Sequence, residues 1–67
     1  MIINTHGIWR KFEEVANTIF ENGKTYKISV EGHCEFATSL KEPKSGINSN
    51  EIDFKASDEG YLWIRTK

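Results

Sequence analysis

The sequence predicts a small α+β domain: a single amphipathic helix packed on an antiparallel sheet of four strands, five if the amino end adds one, in the order α-β-β-β-β. Three observations carry this prediction. Apolar residues recur with a helical period between Gly7 and Gly23, the period falls to two immediately afterwards, and glycine-bearing turns punctuate the strand-like stretches. The whole chain, residues 1 to 67, reads as one domain.

The helix is expected over about residues 7 to 22. In GIWRKFEEVANTIFENG, Ile8, Phe12, Val15 and Ile19 fall within about 40° of a common line at roughly 100° per residue. Trp9, Ala16 and Phe20 widen that stripe, and Arg10, Glu13, Glu14, Asn17, Thr18 and Glu21 take the opposite side. Asn4 or Thr5 offers a side-chain oxygen to the free amides of the first turn, and Asn22-Gly23 supplies the left-handed residue that ends a helix. Pairs such as Arg10 with Glu13 or Glu14 contribute only about 0.2–0.5 kcal/mol each. Such a helix depends on the sheet it covers.

Strands are expected at about 24–30 and 34–39. Tyr26, Ile28 and Val30 alternate with Lys27 and Ser29, and Cys34 and Phe36 continue the alternation. A three-residue turn at Glu31-Gly32-His33 sets Val30 against Cys34 and Ile28 against Phe36, which matches apolar to apolar. Residues 39 to 50, SLKEPKSGINSN, break every pattern and read as a long loop in which Ile47 is a candidate partner contact.

A second hairpin is expected from strands at about 51–57 and 61–66. A three-residue loop, Asp58-Glu59-Gly60, with Gly60 at positive φ, pairs Ala56 with Leu62 and Phe54 with Ile64. Leu62 and Ile64 then face the core. Tyr26, Ile28, Val30, Phe36, Ile52 and Phe54 join them there, against the helix stripe.

Composition bounds the function. Hydrophobic residues make up 37% and charged residues 28%, with a net charge of −1, as in an ordinary globular domain without a basic excess for duplex DNA. No run approaches the roughly 18 apolar residues of a membrane span, and no signal-peptide core is present, so a cytoplasmic chain without membrane contact is expected. The single cysteine, Cys34, falls on the core-facing parity and reads as a small buried hydrophobe. His33 points away from it, so the pair does not form a nucleophile and base. His6 and His33 lack metal-ligand spacing, and the isolated glycines form no phosphate loop. Neither an enzyme nor a bound cofactor is expected.

One surface calls for explanation. A single helix covers only one face of the sheet, so Tyr61, Trp63 and Arg65 are left on the outer face with Lys55 and Lys27. Exposed Tyr and Trp beside Arg are the residue types concentrated at binding hot spots. The leading expectation is therefore a small non-enzymatic protein-binding module, a regulator or inhibitor that meets its partner through Tyr61, Trp63, Arg65, Lys55, Lys27 and Ile47, the outer face and the long loop. The alternative is single-stranded nucleic-acid binding on the same aromatic and basic surface. Homodimerisation is compatible with either, because a chain this small gains much from burying Trp63 against a copy of itself. A compact domain of this kind with abundant Ile, Lys and Asn also fits a phage or mobile-element product.

Overall fold

The computed structural model describes residues 3 to 67. It is an α+β fold dominated by an antiparallel four-stranded sheet, with one short helix. The elements are β1 (Arg10–Lys11), α1 (Phe12–Val15), β2 (Thr25–Ser39), β3 (Ile47–Lys55) and β4 (Tyr61–Arg65), and the sheet order is β1-β4-β2-β3. A strand thus precedes the helix, and the helix does not run from 7 to 22. Of the proposed amino-terminal strand, Ile2 lies outside the described residues, while Ile3 is not in a strand and packs against the core.

The helix is short because its end is built locally. Asn17 takes a φ of 51°, its N–H donates to the Glu14 carbonyl at 3.3 Å, and the Thr18 N–H reaches back to the Glu13 carbonyl at 3.0 Å. That is a Schellman closure with Asn in the left-handed position usually held by Gly. The Glu13 carboxylate then accepts the Phe20 N–H at 3.0 Å and holds the reversed chain against α1. Packing rewards the reversal. On a continuous helix Phe12 and Phe20 would be about 12 Å apart along the axis, at roughly 1.5 Å per residue. Here their rings stack at 5.8 Å, and Phe20 also meets Tyr26 at 4.6 Å and Phe54 at 5.3 Å. The same reversal leaves Ile19 83% exposed.

Strand β2 is one continuous strand of 15 residues, and the expected turn at Glu31-Gly32-His33 is a bulge. Ser29 lies opposite Glu51 and Cys34 opposite Ser49, so the four residues Val30 to His33 face Asn50 alone. Extra residues on one side of a ladder bend the strand, and Gly32 absorbs the distortion with a φ of 70°. A straight strand of this length would span about 46 Å at roughly 3.3 Å per residue. The largest dimension of the molecule is 30 Å, so β2 must fold over. Its two halves accordingly enclose a single core. Ile28 and Val30 from the first half, Cys34 and Phe36 from the second, Phe54, Ala56, Leu62 and Ile64 all belong to it, with Phe12 from α1.

Strand partners also differ from the expected hairpins. The Asn- and Ser-rich stretch Ile47 to Asn50 is the start of β3, drawn into the sheet by pairing with β2, so the loop shrinks to residues 40 to 46. The last two strands do not pair along their length; only Ser57 and Gly60 bridge. Strand β4 lies instead between β2 and β1, with Ile64 opposite both Phe36 and Arg10. Gly60 is not at positive φ. Its lack of a side chain matters for another reason: a Cβ there would stand 3.0 to 3.2 Å from backbone atoms of Ser39.

The two ends of the described chain are joined by a threonine pair. Thr5 is buried; its N–H donates to the Thr66 hydroxyl at 2.7 Å, and the Thr66 N–H donates to the Thr5 hydroxyl at 2.9 Å. Thr66→Val keeps the shape and strands the Thr5 amide. We expect urea unfolding to show a loss of about 1–2 kcal/mol, as for other orphaned buried donors. An unchanged midpoint would mean that the clasp adds no stability.

Candidate contact surface on the outer sheet face

Because β4 alternates, placing Leu62 and Ile64 in the core sends Tyr61, Trp63 and Arg65 to the outer face. The register adds their neighbours. Ser39 lies opposite Tyr61, Ala37 opposite Trp63 and Glu35 opposite Arg65 on β2, while Lys11 lies opposite Trp63 on β1.

These side chains are organised by cations on aromatic rings. The Lys11 ammonium sits 4.0 Å from the centre of the Tyr61 ring and 5.9 Å from that of Trp63. The Arg65 guanidinium sits 4.6 Å from the ring of Trp9, a residue that is itself buried. All three distances lie within the roughly 6 Å over which a ring quadrupole attracts a cation. Arg65 is further fixed by a two-pronged ion pair, donating from Nη2 to both Glu35 carboxylate oxygens at 2.9 and 3.0 Å and from Nε at 3.2 Å. The Trp63 indole N–H donates to the Ser39 carbonyl at 2.9 Å.

The outer face therefore has a closed half and an open half. Arg65 is engaged on both sides, Trp9 is covered, and Trp63 is half-buried. Tyr61 remains 41% exposed and Leu40, next to it, 61% exposed. The two residues border a cavity of about 170 Å³ at the end of the sheet, whose other walls are Glu13, Asn22, Phe54 and the 57–60 turn.

Of the other sequence candidates, Ile47 opens β3 and is 73% exposed. Lys27 and Lys55 do not join the aromatic cluster. They belong to the β2–β3 pairing before the bulge, where Lys27 lies opposite Asp53 and Lys55 opposite Thr25, and Lys27 forms an ion pair with Glu51 at 3.2 Å. The expectation that set Lys55 beside Trp63 required β3 to pair with β4, which it does not. Sequence reasoning missed Trp9 and Lys11 as members of this surface, while Glu35 falls on the outer face by the alternation of its strand. Trp9 and Lys11 alternate with Arg10 at strand spacing, but that signal is three residues long and sits inside a helical period.

Cys34 is buried, and burial pushes its thiol pKa upward, the direction opposite to that of an activated nucleophile. Among the described residues no group of three or more His, Cys, Asp or Glu side chains converges, and no helix is long and apolar enough to cross a membrane. The chain matches no protein-family model, no curated protein and no solved structure.

Proposed function

We propose that this chain is a small protein-binding module, a regulator or inhibitor type of domain rather than an enzyme, that meets its partner through the open half of the outer face and the adjoining 40–46 loop. The observation that supports this reading best is the pairing of exposed Tyr61 with exposed Leu40 around one cavity. A tyrosine held in place by Lys11 has little conformational freedom left to lose on binding, which favours it as an anchor. Trp63 supports Tyr61 from the neighbouring position on β4 and takes part at its exposed edge.

Base stacking by single-stranded nucleic acid is less well supported. A base laid on Tyr61 must compete with Lys11 for the ring, and Arg65 is already neutralised by Glu35. The test is capture of partners from host lysate by the intact chain and by Tyr61→Ala, each with and without nuclease. Tyr61→Ala is expected to stay folded and to weaken a specific, nuclease-resistant protein contact roughly 30-fold or more, the effect of losing about 2 kcal/mol at a hot spot. Capture that vanishes with nuclease transfers the surface to nucleic acid. Capture unaffected by Tyr61→Ala removes this surface from the reading.

A further inference from the structure

The sheet is folded over without closing, and it leaves a seam. Strand β3 is terminal in the order β1-β4-β2-β3, so one edge of its backbone faces no strand of the sheet. On β2 the register with β3 ends at Phe36 while the register with β4 continues to Ser39, so Ala37 and Thr38 are paired on the β4 side only. A cavity of about 170 Å³ lies between these two stretches. Ala37 and Thr38 border it on one side, Ile52, Asp53 and Phe54 on the other. Phe36 and Leu62, both core residues, reach it from below, and exposed Ile47 stands at its end. None of the residues of β2 before the bulge lines it, although β3 is hydrogen-bonded to them. The cavity therefore opens on the unpaired side of β3.

An apolar slot bordered by unpaired strand backbone suits one kind of occupant. An extended segment satisfies the free N–H and C=O groups of the edge and sends every second side chain into the slot. Nucleic acid offers no regular ladder of donors and acceptors to a strand edge, and it would bring phosphates to a rim that carries Asp53. We propose that the seam accepts an extended segment of a protein partner, with apolar residues at alternate positions, as an added strand paired to β3. This rests on the protein-binding reading but names a separate face and mode of contact.

The experiment is selection of random peptides of about strand length, displayed on phage, against the full chain. Enriched peptides are then titrated into the isotope-labelled protein while amide shifts and hydrogen exchange are followed. The expected result is an alternating apolar pattern among the winners, with exchange slowed at amides of β3 and of Ala37 and Thr38. N-methylation of the peptide amides that face β3 is expected to weaken binding about tenfold or more, because strand addition draws its affinity from main-chain hydrogen bonds. Ile47→Asp, at an exposed position that leaves the fold intact, is expected to weaken binding as well.

Three results overturn the proposal. An empty selection does so, and so does equal binding of the N-methylated peptide. Shifts confined to Leu40 and Tyr61 also do so, but they leave protein binding by the outer face standing. Concentration-dependent protection of β3 in the chain alone, with a matching dimer in sedimentation, replaces the partner segment by a second copy and likewise overturns the proposal as stated.

Discussion

Ile64→Ala is expected to lower the free energy of unfolding by about 2–5 kcal/mol, the range for truncating a fully buried branched side chain. Ile64 is 0% exposed and lies at the crossing of three strands, opposite Phe36 on β2 and Arg10 on β1. None of these neighbours is free to collapse into the space left behind. A domain of this size has a total stability of roughly 3–10 kcal/mol at about 0.05–0.15 kcal/mol per residue, so this one change removes a large part of it. The companion substitution is Ile19→Ala. A continuous helix over 7 to 22 would bury Ile19 and make that change nearly as costly; the reversal at Asn17 exposes it and should hold the cost within about 0.5 kcal/mol. Urea unfolding of the two variants separates these structures. Similar losses for both would restore the long helix.

Gly46→Ala has the second largest expected effect. A Cβ at Gly46 would meet the Phe36 carbonyl oxygen at a distance no real side chain tolerates, and would stand 2.9 Å from the Phe36 carbonyl carbon and 2.9 Å from Cη2 of Trp9. Two of these three atoms are backbone, so the strain is not relieved by rotating a side chain. The 40–46 loop must lift from β2 and from the Trp9 ring, at a cost of about 1–3 kcal/mol for overpacking of this kind. In a chain of this length that is a fall in Tm of roughly 5 °C or more. Near-ultraviolet circular dichroism should register the disturbed Trp9. An unchanged Tm would show that the loop does not seat against Trp9.

These two positions mark different degrees of legibility. Alternation places Ile28, Val30, Cys34, Phe36 and Phe54 in the core, whereas Leu62 and Ile64 are placed there by a hairpin register that the structure does not adopt, with the parity nonetheless the observed one. Gly46 read only as part of a loop. Its tight contact joins residues from three separate parts of the chain, and no local pattern announces that. The candidate surface divides in the same way. That Tyr61, Trp63 and Arg65 share one face follows from their spacing, whereas the direction of that face and the company they keep depend on which strands lie beside β4. Lys11 and Trp9 came in with those strands, Glu35 was set directly opposite Arg65, and Lys55 and Lys27 went elsewhere.

By itself the sequence determined which side chains of each strand share a face, because the pleat of a strand imposes a period of two on every residue it contains, and where only one of the two faces is apolar it determined which points inward. It also determined an α+β domain in which Tyr61, Trp63 and Arg65 share one sheet face. Tertiary structure decided the rest: a helix reduced to four residues, a glycine that bends one strand where a turn between two was expected, and a β4 paired with β2 and β1. The physical reason is common to all three. Asn17 and Asn22-Gly23 both offer a local end to the helix, and Gly32 suits a turn or a bulge equally well. Contacts between distant residues, Phe20 on Phe12 and Phe54 above all, select among these locally comparable options.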